Sequence, residues 1–226
     1  FANLFGMGGA PLFSIERGRG NDAEAEAIMG NAFTLMVICG ILLSILGIVF
    51  RRPLLYLFGA SDSTYPYAES YMTIYLLGSV FVMMGLGMNA FINSQGFGRI
   101  GMQTVLLGAV ANIILDPVFI FGFRMDVRGA ALATIISQFL SAAWVLRFLF
   151  SDRSILRLKR ETMMLKKARV LKIVSMGMSS FAAGFTNSVV AVACNATLQT
   201  WGGDLYVGVM TVIHSVREIA ENLVKG

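Results

Sequence analysis

The chain is organised as long apolar runs separated by short polar segments. Five of these runs reach the length of about 20 residues that a helix needs to cross the hydrocarbon core of a bilayer. They are Asn31–Phe50, Ser70–Asn93, Gly101–Phe123, Gly129–Phe150 and Ile173–Trp201. Phe1–Ile15 has the pattern of the tail of another span, and Leu205 begins a last one. No run alternates polar and apolar residues with a period of two, so the pattern predicts helices and not the strands of a barrel.

Composition places these helices in a membrane. Of the 226 residues, 56% are hydrophobic and 14% are charged, whereas a soluble domain carries about 25% charged residues. Mean hydropathy is +0.72. A single core cannot hide this much apolar surface, so the excess is expected to face lipid. The sequence therefore predicts an all-α polytopic membrane protein whose surroundings are the lipid bilayer.

The distribution of basic residues predicts how the chain is oriented. Successive loops lie on alternating sides of a membrane, and the loops at 16–30, 94–100 and 147–172 carry 12 of the 18 Lys and Arg. The loops at 51–69, 124–128 and 201–204 carry four. Because cytoplasmic loops are enriched in Lys and Arg, the first set is expected on the cytoplasmic side. The net charge of +5 thus reflects membrane topology, and no nucleic-acid partner is expected.

The basic stretch at 147–172 also divides the chain into two helical parts. Five apolar residues are interspersed among its Lys and Arg: Leu156, Leu158, Met163, Met164 and Leu165. One interpretation is an amphipathic linker lying along the inner membrane surface. A solvated loop explains the composition equally well, and both interpretations stay open on the sequence.

Asp116 is the one ionisable side chain that stands out within the apolar runs before residue 204. A carboxylate in a bilayer costs roughly 2.5–3.5 kcal/mol on insertion scales, so it is expected to face a cavity or a partner. Asn112 lies four residues earlier and projects from the same helix face. Pro117 follows and, as a helix kink, leaves the carbonyl of Ile113 without its usual donor.

The next helix adds a hydroxyl at similar depth. Asp116 and Thr134 lie about equally far from the turn near Asp126, so antiparallel packing brings them level. Carboxylate, amide, carbonyl and hydroxyl oxygens suit a hard cation such as Na⁺. They equally suit a buried carboxyl that cycles a proton. The structural alternative is an aspartate that caps a kink or bonds a neighbouring helix.

Other residues give weaker indications of function. Possible cavity-lining residues are Asn89, Asn93, Gln138 and Asn187, although hydrogen bonding between helices explains them nearly as well. His214, the single histidine, is interpreted as a packing residue. No catalytic constellation, phosphate-binding loop or metal-spaced cysteine is found, so neither an enzyme nor a bound cofactor is expected.

Two segments closely resemble helices five and six of the multidrug and toxic compound extrusion (MATE) exporters. They are Asn112-Ile-Ile-Leu-Asp116-Pro117-Val-Phe-Ile-Phe-Gly122 and Val127-Arg-Gly129-Ala-Ala-Leu-Ala133-Thr134-Ile-Ile-Ser-Gln138. Three further segments are similar to parts of the same family: Glu16–Ala32, Leu57–Ser61 and Met210–Glu218. The resemblance covers essentially the whole chain.

This resemblance implies a fragment carrying helices two to eight of twelve. Residues 1–150 would form the amino-terminal lobe without its first helix, and 151–172 a cytoplasmic linker. Residues 173–226 would begin the carboxy-terminal lobe with helices seven and eight. The implied location is the inner membrane of a bacterium, with no obligate protein partner.

The resemblance also implies an activity. It is the export of organic, cationic drugs or metabolites in exchange for Na⁺ or H⁺ by alternating access, with Asp116, Asn112 and Thr134 as the coupling site. Two departures concern helix seven: Ile173–Asn195 contains no acid, and Ser179 stands where a proline is common. The alternatives are a lipid-linked saccharide flippase of the same superfamily and a membrane receptor or scaffold that transports nothing.

Overall fold

The computed structural model describes the backbone from Phe1 to Lys225 and the side chains from Phe1 to Arg217. Gly226, the last residue of the predicted 173–226 segment, lies outside the described residues. Eight α-helices and no strands occur in the described part of the chain. They are α1 (Ala2–Gly18), α2 (Asp22–Val49), α3 (Arg51–Leu57), α4 (Tyr65–Leu77), α5 (Ser79–Ser94), α6 (Gly98–Pro117), α7 (Asp126–Phe150) and α8 (Lys167–Lys225).

Half of the eight described helices are individually long and apolar enough to cross a membrane. Four pass a test of length and hydropathy, namely α2, α6 with its π-helical extension, α7 and α8. The helices α4 and α5 pass together as a fifth, bent span. In the most apolar part of α6, only 6% of the residues are buried by the rest of the chain. These helices expose the apolar surface that the composition assigns to lipid.

The predicted span over Ser70–Asn93 corresponds to a bent pair of helices, because α4 and α5 meet at Gly78 with a bend of 55°. The side chain of Ile135 fills the space that a Cβ at Gly78 would occupy. The bend also leaves the carbonyl of Leu76 without its helical donor, and Ser44 Oγ of α2 donates to it at 2.6 Å. A neighbouring helix therefore satisfies the backbone group that the break exposes.

A second break divides α8. Gly203 has φ of 66° and ψ of −166°, which is not helical, and it falls inside the predicted loop at 201–204. Beside it, Asp204 accepts hydrogen bonds from Ser61 Oγ at 3.0 Å and Ser63 Oγ at 2.8 Å. The turn of α8 is thereby tied to the connection between α3 and α4.

The connections of the bundle gather at two ends. Those after α1, α5 and α7 meet at one end, which we call the basic end. Gln95 Oε1, after α5, accepts from Ser154 Oγ and Leu156 N, both at 3.0 Å. Arg169 at the start of α8 forms a bidentate pair with Glu24 of α2, with N–O distances of 2.7 and 2.6 Å. The three loops that together carry 12 of the 18 Lys and Arg therefore lie at the same end.

The segment between α7 and α8 follows an irregular path, and part of its apolar residues are buried in the protein. Leu156 and Leu158 are 5% and 2% exposed and join the hydrophobic core, whereas Met164 is 77% exposed. The only helical residues between α7 and α8 form a short 3₁₀ turn, Arg160–Met163. Asn31 of α2 and Gln95 after α5 bind the backbone of this segment. Its position along the membrane surface or in solvent stays a prediction.

Asn31 is the centre of that attachment. Its side chain is fully buried, and its Nδ2 donates to the carbonyls of Ala27, Thr162 and Met164 at 2.9, 3.1 and 2.9 Å. Its Oδ1 accepts from Lys166 N at 2.9 Å. The Asn31 amide thus binds three backbone groups of the segment between α7 and α8: the carbonyls of Thr162 and Met164 and the N–H of Lys166. With the Ala27 carbonyl of α2 as a further partner, both polar atoms of the Asn31 side chain are hydrogen-bonded.

Glycines let α8 approach α1 closely. A Cβ at Gly8 would collide with the carbonyl of Ile173, and a Cβ at Gly177 would collide with the carbonyl of Leu4. The two backbones therefore touch, as small residues permit in membrane proteins. Because α8 begins the part of the chain beyond the linker, this contact and the Asp204 contact join it to the first part.

We expect Asn31→Ala to lower the unfolding free energy of the complete protein by about 1–3 kcal/mol, because buried backbone groups of the linker lose their partner. Thermal unfolding in detergent, followed by intrinsic fluorescence, measures the change. Asn93→Ala is the matched control, since Asn93 is exposed. Equal midpoints for the two variants would show that the linker is held by its apolar residues instead.

Candidate cation-coupling site

The end of α6 departs from regular helical geometry where Pro117 interrupts it. Pro117 has no N–H to donate to the carbonyl of Ile113. Val118 N–H bonds the carbonyl of Leu115, three residues back. The next residues, Val118–Gly122, form a π-helix. Such wide turns inside helices recur at functional sites, and this one lies one residue beyond the intramembrane carboxylate.

Asp116 and Asn112 contact each other on one face of α6. Asn112 Nδ2 donates to Asp116 Oδ1 at 3.4 Å. The predicted pairing of these two residues is therefore present in the structure. In this arrangement the amide nitrogen donates and the carboxylate oxygen accepts.

A polar cavity of about 270 Å³ lies between α5, α6 and α7, and Asn112 and Thr134 both line it. Its polar lining also includes Asn89, Gln138, Thr104, Ser137 and Ser141. Asp116 is not among the lining residues but is hydrogen-bonded to one of them. Thr134 Oγ1 donates to the carbonyl of Ala130 at 2.9 Å, so its remaining lone pairs are available to a guest.

An unpaired oxygen among the lining residues of the cavity favours a ligand that accepts electron pairs. Asn89 Nδ2 donates to the carbonyl of Gly101 at 3.3 Å, while Asn89 Oδ1 is buried with no hydrogen-bond partner among the described residues. A buried acceptor without a donor is costly. A cation or a water molecule in the cavity would supply the missing interaction.

The other two predicted lining residues lie elsewhere. Asn93 is exposed, and its amide oxygen lies where a Cβ of Gly101 would be. Asn187 is on an exposed face of α8. Neither lines the cavity between α5, α6 and α7, because Asn93 lies one turn beyond Asn89 near the end of α5 and Asn187 lies on α8.

Sequence reasoning missed three polar lining residues, Thr104, Ser137 and Ser141. Thr134, Ser137, Gln138 and Ser141 recur at helical spacing along α7, and this polar stripe on an apolar span was the available signal. Ser141 Oγ donates to the carbonyl of Thr104 at 3.1 Å, which links α7 to α6 below the Asn112 level. No group of three His, Cys, Asp or Glu suited to a metal occurs among the described residues.

Long helices with exposed apolar faces define an α-helical integral membrane protein. Comparison with known protein families identifies one family within this class. The profile of the family described as MatE matches residues 1–118, more than half of the 226 residues. The chain belongs to the MatE family, and the resemblance drawn from the helix-five and helix-six motifs is confirmed.

Relatives in sequence carry exporter and transporter names. The chain is 27% identical over 202 residues to the multidrug export protein MepA of Staphylococcus haemolyticus, a match covering 89% of this chain and 45% of that protein. It is 34% identical over 124 residues to an FAD transporter of Shewanella oneidensis, covering 53% of this chain and 27% of that protein. The chain thus spans about half the length of the curated relatives it matches, or less.

Solved structures agree with the predicted all-α membrane fold. The MATE multidrug transporter DinF-BH in complex with R6G matches with a TM-score of 0.84 and 34% identity over 94% of this chain and 48% of that one. An inward-facing multidrug resistance MATE family transporter of the MOP superfamily has a TM-score of 0.88 over 93% of this chain and 48% of that one. At 23% identity, the second likeness concerns the fold alone. The predicted fold class is confirmed.

We expect Gly108→Ala to destabilise the complete protein by about 1–3 kcal/mol, because the new methyl group would collide with Ser141 Oγ and displace it from the carbonyl of Thr104. Gly98→Ala, on the same helix with open space around it, is the control and should be neutral or slightly stabilising.

The double variant Gly108→Ala/Ser141→Ala removes the hydroxyl that the methyl group meets. Its unfolding midpoint should recover part of the loss, giving a coupling energy in a double-mutant cycle. Additive effects of the two substitutions would contradict the close α6–α7 packing.

Proposed function

We propose that this chain is part of a secondary active efflux transporter that exports organic, cationic compounds in exchange for Na⁺ or H⁺. The observation that carries the proposal is the intramembrane Asp116, hydrogen-bonded to Asn112, whose amide lines the same polar cavity as Thr134. A carboxylate with neighbouring oxygen donors suits reversible binding of a proton or a small hard cation.

The amide of Asn112 supplies a simple response to ion binding. Its nitrogen donates to Asp116 when the carboxylate carries its charge. Once a cation binds, or a proton makes the carboxyl a donor, the Asn112 amide oxygen is preferred at the position that its nitrogen occupies beside Asp116. Rotation of the Asn112 amide by half a turn provides it. The hydrogen bond between the two residues therefore differs between the loaded and unloaded states.

The irregular end of α6 is where a change in the hydrogen bond between Asn112 and Asp116 would alter the helix. The π-helix Val118–Gly122 follows Pro117 directly, and it connects through a tight turn to α7. Arg124 and Asp126 in this turn have φ of 53° and 48°, so the connection is short and strained. Neutralising Asp116 changes its hydrogen bond with Asn112, and we propose that α6 and α7 bend in response.

Export then follows from the coupling of two equilibria. The ion and the cargo must have different affinities for the inward-open and outward-open states, and the ion must favour the state from which cargo leaves. The segment Ser151–Lys172 would lie at the cytoplasmic surface, as its basic residues indicate. The names of the multidrug exporters among the relatives support the direction of transport.

The residues that line the cavity bear on the class of cargo. Polar uncharged and apolar residues line the cavity, with no Lys or Arg. This lining favours a cation over the anionic headgroup that the flippase alternative requires. The relative named as an FAD transporter makes a phosphate-bearing cargo the competing hypothesis, which the experiment below addresses.

The test uses the complete protein to which this chain belongs, reconstituted in vesicles with an imposed Na⁺ or H⁺ gradient. Asp116→Asn should slow gradient-driven ethidium efflux by about 5- to 150-fold, the range of typical coupling energies. The matched control is Asp126→Asn, because Asp126 is exposed in the turn after the π-helix and asparagine tolerates its positive φ. The gradient that drives wild-type efflux identifies the ion.

Each other result has a distinct meaning. Full efflux by Asp116→Asn would reduce Asp116 to a structural role. Movement of FAD but not ethidium would contradict the cationic cargo while preserving coupled transport. Ion-independent binding without efflux of either compound would favour the receptor or scaffold alternative.

A further inference from the structure

A second cavity lies at the basic end, on the outer side of α6 and α7 and away from the cation-coupling site. Its volume is about 420 Å³, and α6, α7 and the turn after α7 line it. Trp144 and Phe148 of α7, with Ile100 of α6, form the apolar part. Arg147, Ser151 and Arg153 form the polar part. An apolar floor below two cationic groups is the arrangement that an amphipathic anion requires.

The two guanidinium groups are not neutralised by the protein. Within the described side chains, neither Arg147 nor Arg153 forms an ion pair, and the acid adjacent to Arg153, Asp152, pairs with Arg157 instead. Both arginines are exposed. A guanidinium offers several donors in a fixed plane and binds phosphate oxygens in a bidentate manner.

The turn that carries Arg153 is ordered by its own hydrogen bonds. Ser151 Oγ donates to the carbonyl of Phe148 at 2.8 Å and accepts from Arg153 N at 3.3 Å. The next residue, Ser154, is buried and donates to Gln95 Oε1. Arg153 is therefore attached to a rigid turn, so a ligand does not have to order the backbone before it binds.

The cavity lies at the level where lipid headgroups meet the protein. The basic end is assigned to the cytoplasmic side by its Lys and Arg, and tryptophan favours the interface between headgroups and acyl chains. Farther into the membrane, the outer faces of α6 and α7 are apolar, with Leu106 52% and Leu140 37% exposed. A ligand with a phosphate in the cavity would have a continuous apolar surface below it.

We propose that this cavity is a binding site for an anionic phospholipid of the cytoplasmic leaflet. The phosphate lies between Arg147 and Arg153, the glycerol region lies against Trp144, and the acyl chains follow the outer groove between α6 and α7. Basic pockets between membrane helices on the cytoplasmic side recognise such lipids. The site is separate from the cavity that contains Asn112 and Thr134, so it does not depend on the proposed export activity.

The experiment is native mass spectrometry of the complete protein in detergent, titrated with phosphatidylglycerol or phosphatidylcholine. Wild type should retain phosphatidylglycerol in preference to phosphatidylcholine. Arg147→Gln/Arg153→Gln should weaken phosphatidylglycerol binding by about 25-fold, or about fivefold for each arginine. Arg147→Lys/Arg153→Lys should retain most of the preference because the charge is kept.

Lys166→Gln/Lys167→Gln is the matched control, because it removes two positive charges from the same end of the protein at positions that do not line the cavity. This variant should bind phosphatidylglycerol like wild type. Equal loss in both double variants would attribute binding to the general charge of the basic end and overturn the site. Unchanged binding in Arg147→Gln/Arg153→Gln would overturn it as well.

Soluble phosphate distinguishes a lipid from a free anion. Glycerol phosphate and inorganic phosphate at millimolar concentration should leave phosphatidylglycerol bound, because they lack acyl chains to bury against α6 and α7. Displacement by either compound would show a phosphate site without lipid specificity and contradict the proposal. Arg153→Gln alone keeps the test valid if the double variant does not fold, since the Arg153 side chain is exposed.

Discussion

The structure depends on one constraint: polar groups inside a bilayer must find partners within the protein, because lipid supplies none. Backbone groups meet it by forming helices, and hydroxyl groups meet it by bonding the carbonyl four residues back, as Thr134 does with Ala130. Where a helix breaks at Gly78, Ser44 of α2 takes the exposed carbonyl of Leu76. The buried Asn89 Oδ1 has no hydrogen-bond partner among the described residues, and a water molecule or a cation in the cavity would supply a partner.

The same constraint explains how the part of the chain beyond the linker is joined to the part before it. Asn31 is buried within α2, yet its amide is fully satisfied by the backbone of the segment that leads to α8. Asp204 makes a comparable attachment at the opposite end, through Ser61 and Ser63. A transporter that alternates access has to loosen contacts at one end while keeping those at the other. Under the proposed export mechanism, the Asn31 and Asp204 attachments are contacts at these two ends.

Part of the site could be read from local spacing. Asn112 and Asp116 are four residues apart on one helix, so their contact follows from helical geometry alone. Pro117 likewise predicts an irregular helix end, although not that the irregularity is a π-helix. The cavity itself depends on how α5, α6 and α7 pack, and Asn93 shows the limit. It lies one turn beyond Asn89 on the same face of α5, and this one turn toward the helix end is enough to exclude it from the cavity.

The sequence by itself determined the helical membrane class, the family and the intramembrane carboxylate, because hydropathy, charge distribution and a local motif are properties of neighbouring residues. Only the tertiary structure decided the path of the segment between α7 and α8, where Asn31 and Gln95 bind backbone atoms more than 50 residues away. It also decided the bend at Gly78 and the cavity around Asn112. These features arise from contacts between helices distant in sequence, and no periodicity along the chain encodes such contacts.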